Sequence, residues 1–118
     1  AMQRQASQEG VIMRFVVREL FYTKPGRRDE AAAMLRELDA LIQQTAAAAG
    51  RWQVRRLAAA FASPGQPDLI EEYELDDLAE FIQMEEQLWK NQRFLEWNKG
   101  FVALLSEAAK ADVYTIET

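Results

Sequence analysis

The chain has 118 residues, a net charge of −5 at pH 7, no cysteine and no histidine. Its length suits a single domain, and its negative charge argues against nucleic acid, whose binding needs cations that displace counterions. The missing residue types remove disulfides, thiolate chemistry, Ser-His-Asp and Cys-His triads, His-ligated haem and the common zinc sites.

No apolar run is long enough to cross a bilayer. A cytoplasmic protein without membrane or nucleic-acid partners is expected. The basic pairs Arg27-Arg28 and Arg55-Arg56 are short and diluted by nearby acids, so they read as solvated or ion-paired surface.

Residues Ala1 to Gly10 are polar and lack the apolar segment of a signal peptide. They are expected to be a disordered or tag-derived tail ahead of one domain over residues 11–118. From Val11 to Tyr22 apolar and polar residues alternate with many β-branched ones, which predicts a strand. One face carries Phe15, Val17 and Phe21, and the other Arg14, Val16, Arg18 and Leu20. Apolar residues on both faces imply that both are partly covered.

Pro25-Gly26 ends this strand, with Pro25 placed to open a helix. Ala31, Met34, Leu35, Leu38, Leu41, Ile42 and Thr45 then recur at helical spacing, Asp29 and Glu30 suit the N-terminal dipole, and Gly50 is placed as the residue after the last turn. Two strands follow, Trp52 to Ala62 and Leu69 to Leu75, joined through Pro64-Gly65.

A hairpin centred on Gly65 would set Leu57 opposite Tyr73 and Arg56 opposite Glu74. Leu57, Phe61, Leu69 and Tyr73 would then share one face, and a slip of one residue would invert it.

Asp77 with Glu80 makes a capping pattern for a second helix. Its stripe of Leu78, Phe81, Ile82, Leu88 and Trp89 is out of phase with Phe94, Trp97, Phe101, Leu104, Leu105 and Ala108, so a break is expected across Lys90-Asn91-Gln92. Val113 to Glu117 reads as a last strand. The order is βαββαβ, an α+β ferredoxin-like unit with strand order 4-1-3-2 and helices on one face of an antiparallel sheet.

The helix-free face would carry Arg14, Arg18, Arg56, Glu72 and Glu74 among apolar residues, a pattern that suits a second sheet from another copy of the chain. Arg14 and Arg18 are expected to pair with Glu72 and Glu74 within it, because a pair excluded from water needs such satisfaction.

The strand ending in Tyr22-Thr23-Lys24-Pro25-Gly26, the Glu71-Glu72-Tyr73 strand running into a capped helix, Trp89 late in that helix and the closing Tyr114-Thr115-Ile116-Glu117 resemble the NIPSNAP-like domains of the dimeric α+β barrel superfamily. That resemblance, over Ile12 to Glu117, implies a homodimer with a pocket between sheet and helices in each subunit. The superfamily also holds antibiotic-biosynthesis monooxygenases, polyketide cyclases, muconolactone isomerases and haem-degrading oxygenases. The last use a His ligand, which this chain lacks.

Candidates for the pocket are Phe15, Arg55, Glu71, Tyr73, Trp89 and Trp97. Glu19, Arg55 and Glu71 are polar exceptions on the side read as helix-facing, and a carboxylate there is a potential base. The plainer reading of Arg55 and Glu71 is a solvated sheet end or a salt bridge. For Tyr73 it is a buried ring with a hydroxyl reaching water, and for the tryptophans it is core packing. Trp89 and Trp97 flank the helix break and are better placed to border a cavity than Trp52.

Asp76-Asp77 and Glu85-Glu86 point apart on a helix, and capping accounts for the first pair, so no metal site is expected. There is no G-x-G-x-x-G and no Walker A, so no cofactor is expected either. Two functions compete: a domain of unassigned activity that binds a small hydrophobic or aromatic ligand, and a cofactor-independent monooxygenase or cyclase/isomerase. No catalytic residue stands out. A buried titratable group in a cavity would discriminate, with Glu71 and Tyr73 competing for that role.

Overall fold

The computed structural model describes residues 13–117; the expected N-terminal tail, residues 1–10, lies outside them. The elements run β1 (Phe15–Phe21), α1 (Arg28–Thr45), a 3₁₀ turn (Ala47–Arg51), β2 (Gln53–Ala58), β3 (Leu69–Leu75), α2 (Leu78–Leu88), α3 (Gln92–Val102) and β4 (Lys110–Thr115). The strands form one sheet in the order β2-β3-β1-β4, every neighbouring pair antiparallel. This is the expected topology. No helix among the described residues is long and apolar enough to cross a membrane.

The core lies between the sheet and the helices. Val17 and Phe21 of β1 and Leu69, Tyr73 and Leu75 of β3 meet Leu35, Leu38 and Ile42 of α1, Phe81, Met84 and Leu88 of α2, and Phe94 and Phe101 of α3. The helix break falls where the two stripes change phase. α2 stops at Leu88, and Asn91 caps α3, its side-chain oxygen accepting from the Phe94 amide at 3.1 Å. Asp77 caps α2 through the Ala79 amide at 3.0 Å, while Glu80 turns outward to Arg51 instead of closing a capping box.

Three local expectations fail. Pro25 does not open α1. It sits in a turn closed by the Arg27 amide on the Lys24 carbonyl at 3.0 Å, with Gly26 at φ +78°. Gly50 does not end α1, which stops at Thr45 with Ala46 extended behind it; Gly50 lies inside the 3₁₀ turn. α3 ends at Val102, before Leu104, Leu105 and Ala108.

The largest difference is the β2–β3 register. Arg56 lies opposite Glu71, Arg55 opposite Glu72 and Leu57 opposite Ile70. Pro64 and Pro67 have no N–H for a ladder. Pairing therefore ends where the Ala59 amide meets the Asp68 carbonyl at 2.8 Å, and residues 60–67 leave the sheet with Phe61 93% exposed. The hairpin centre moves by an odd number of residue pairings, so every β2 side chain changes face relative to the expectation. Arg55 goes to the helix-free face and Arg56 goes under the helices.

Candidate functional site

A cavity of about 570 Å³ opens between the sheet and the helices, in the size range of small-molecule sites. Its floor is the helix side of β1 and β3, with Glu19, Phe21 and Tyr73. Leu38 and Ile42 of α1, Met84, Glu85 and Leu88 of α2, and the segment from Leu105 to Ala109 close three sides. That segment is held against the end of β1 by two backbone bonds, Ser106 N to Tyr22 O at 2.8 Å and Lys24 N to Leu104 O at 2.8 Å, and by the Ser106 hydroxyl on the Tyr22 carbonyl at 3.2 Å.

The remaining wall is aromatic. Trp97 stacks on Phe101 with centroids 4.7 Å apart and planes 12° off parallel. Phe94 stacks on Trp97 at 5.7 Å, and Trp89 meets Phe94 edge-on at 5.0 Å. Trp97 is fixed by its indole N–H, which donates to the Met34 carbonyl of α1 at 2.7 Å. Trp89 is 57% exposed at the mouth. Trp52 packs on Tyr73 and Phe81, away from the cavity.

Of the expected pocket residues, the structure brings Tyr73, Trp89 and Trp97 together on this cavity. Phe15 packs half-buried against the core and does not line it. Arg55 is a correction: it lies on the helix-free face, paired with Glu72 at 2.7 Å, its side chain 71% exposed.

Glu71 is wholly buried but belongs to a different cluster. Its carboxylate accepts from Arg56 Nε at 2.8 Å, and Arg56 also pairs with Asp39 of α1. Arg56 is therefore a second correction, a core residue and not part of the helix-free face. Burial first, then the hydrogen bond and charge of Asp39, hold Glu71 well above the usual carboxylate range, against the pull of Arg56. Asp39 Oδ1 is buried without a donor; the Glu71 carboxyl, with its raised pKa, is the neighbouring group able to carry a proton to it. Arg56 and Asp39 then neutralise each other.

The sheet carboxylate that faces the cavity is Glu19. It is the cross-strand partner of Glu71 on β1, and Ala111 of β4 flanks it on the other side. Desolvation, and then the charge of Glu85 across the cavity, raise it to about 7; the nearby Tyr73 hydroxyl pulls the other way. Burial raises Glu85 as well, and that of Tyr73 is held well above its ordinary value, first by burial and then by the charge of Glu19.

A carboxyl near 7 beside a phenol, in an aromatic cavity, can hold or release a proton at neutral pH. Glu19 stood in the alternating helix-facing set of β1, so the signal for it was present. What singles it out over Glu71 is the position of Arg56. Asp39 also sat on the apolar stripe of α1, four residues after Leu35 and three before Ile42.

On the helix-free face the expected Arg14 and Glu74 pair at 3.0 Å. Arg18 crosses from Glu72 to the other neighbouring strand, binding Asp112 through two bonds of 3.0 and 3.1 Å and covering the Tyr114 ring. Among the described residues no group of three or more carboxylates is arranged to hold a metal ion.

No protein-family model matches the chain, and no curated protein matches it in sequence. Its backbone superimposes on a NIPSNAP family protein from Agrobacterium tumefaciens with a TM-score of 0.67, at 15% identity over 88% of this chain and 86% of that one. An uncharacterized NIPSNAP domain protein from Burkholderia xenovorans gives 0.64, at 12% identity over 85% and 91%. The fold is that of the NIPSNAP proteins. SnoaB, a cofactor-independent oxygenase from Streptomyces nogalater, shares the architecture at a TM-score of 0.54 and 13% identity, over 90% of this chain and 93% of that one. The arrangement of sheet and helices here is therefore one that an oxygenase also has.

Proposed function

We propose that this chain is a NIPSNAP-like domain that binds a small hydrophobic or aromatic ligand between its sheet and its helices. The observation that supports this is the cavity of about 570 Å³, walled by Phe94, Trp97 and Phe101 and containing a single phenol–carboxyl pair, Tyr73 and Glu19. Stacked aromatic walls favour a planar ligand, and the few polar groups would orient it.

A neutral tricyclic probe such as anthrone should quench tryptophan fluorescence saturably. Asn98→Trp, which fills the cavity from α3, should abolish that quenching without lowering Tm. Quenching that fails to saturate, or that survives Asn98→Trp, would remove the reading.

The second reading is a cofactor-independent monooxygenase or cyclase/isomerase, favoured by the elevated Glu19 carboxyl beside Tyr73. Glu19 would take a proton from a C–H or O–H group acidified by a neighbouring carbonyl, and Tyr73 would hold the resulting charge. Dioxygen uptake with anthrone, lost in Glu19→Gln, would support the oxygenase form.

We also infer that the functional unit is a homodimer formed through the helix-free face, and we place it in the cytoplasm, where a cysteine-free chain needs no oxidative folding. Val16, Leu20, Leu57 and Ile70 lie on that face uncovered by helices, and its charges are already neutralised as Arg14–Glu74, Arg55–Glu72 and Arg18–Asp112. Such a surface loses little on leaving water. Sedimentation should give two chains, and Leu20→Glu with Ile70→Glu should give one. A monomeric wild type ends this inference.

A further inference from the structure

The charges around the cavity are of one sign. Glu19, Glu85 and Glu107 line it, and no arginine or lysine does. Glu107 at the rim has a cation of its own, Lys110 at 3.8 Å. Glu19 and Glu85 have none among the described residues, although every charged group of the helix-free face that approaches a neighbour is paired. They converge on one space from β1 and α2, across from the stacked rings of Phe94 and Trp97.

The groups packed around Glu19 offer no relief. β3 presents Glu71 and the neutral Tyr73, β4 presents Ala111, and α1 presents Leu38 and Ile42. Asn98 of α3 is uncharged. Two partly buried carboxyls sharing one cavity with an aromatic wall form a site that repels anions. A cation with an apolar body would satisfy both the carboxyls and the rings.

We propose that the ligand is an aromatic molecule bearing a basic amine, its ammonium set between Glu19 and Glu85 and its ring system against Trp97 and Phe94. This rests on the reading of the cavity as a ligand site and names the class of ligand. An ammonium arriving beside a partly protonated Glu19 would favour the carboxylate and drive a proton out.

Three isosteric probes test it on the whole chain by calorimetry at pH 7: 2-naphthylmethylamine, 2-naphthylmethanol and 2-naphthoate. The amine should bind at least tenfold tighter than the alcohol, and the carboxylate weakest. Amine binding should release a fraction of a proton, read from the difference in heat between two buffers of unlike ionisation enthalpy. Glu19→Gln and Glu85→Gln, each verified by an unchanged fold in circular dichroism, should each cut the preference for the amine over the alcohol about tenfold. An alcohol that binds as well as the amine, or a carboxylate that binds best, overturns the amine and leaves the cavity reading standing. Failure of all three probes removes both.

Discussion

Glu19 and Glu71 are direct cross-strand neighbours on the same face of the sheet, beneath the same helices, yet they occupy opposite situations. Glu71 is closed in by Arg56 and Asp39, and its cluster can be electrically neutral with one shared proton. Glu19 meets a cavity, a phenol and a second carboxylate, with no cation beside it. The difference comes from which residue stands opposite on the next strand: Arg56 for Glu71, Ala111 for Glu19. A buried carboxylate with its own cation is structural. One without a cation is available for a ligand or a proton.

The comparison can be broken most severely from the Glu71 side. Arg56→Met removes the guanidinium and leaves Asp39 and Glu71 facing each other; urea denaturation should show a loss of about 3–5 kcal/mol. A loss under 1 kcal/mol would mean that the cluster is not held by this charge.

Glu19 should act through pH. Its folded pKa of about 7 lies above the ordinary value of 4.5, so the native state keeps a proton that the unfolded chain has already released. The stability associated with that proton is complete below about pH 4.5 and is lost as pH rises through 7. Glu19→Gln should therefore match the wild type near pH 4 and exceed it by up to about 3 kcal/mol at pH 8, at 1.36 kcal/mol per pKa unit. Parallel curves at both pH values would deny the elevated pKa.

The comparison is sharpened by giving Glu19 what Glu71 has. Ala111→Lys sets a cation on the neighbouring strand, and the Glu19 carboxyl carbon, followed by NMR, should titrate about 1–2 units lower. Titration still near 7 would show that the strand neighbour does not decide the matter. The smallest effect belongs to Glu71→Gln: with the carboxyl already protonated, an amide should cost under about 1 kcal/mol at pH 7 by thermal unfolding. A large loss would mean that Glu71 is ionised.

Much of this arrangement was legible along the chain. β3 falls on Leu69–Leu75 as expected, because Pro67 bounds it on one side, the Asp77 cap bounds the other, and its residues alternate in burial. The break at Asn91 was readable from the change of phase between two apolar stripes. The pocket residues Tyr73, Trp89 and Trp97 followed from those two elements.

Arg55 and Arg56 were exchanged because their facing depends on where an eight-residue loop closes. A prolyl-rich loop sets that through missing N–H donors more than through its glycine. The same error hid the distinction between the two glutamates, since without Arg56 beneath the helices Glu71 looks the more available of the two. Asp39 was masked by a rule that holds on average, that a carboxylate in a helix is solvated.

Tyr73 carries a consequence beyond its hydroxyl. The ring, pinned between Trp52 and Phe81, borders the cavity of about 570 Å³ on one side and a smaller one of about 260 Å³, reached past Asp39 and Gln43, on the other. It is a partition between two chambers. Ile42 of α1 also lines both, so the depth of the pocket, and the length of molecule it admits, rests on the size of two side chains, one on the second strand from the edge of the sheet and one on the helix above it.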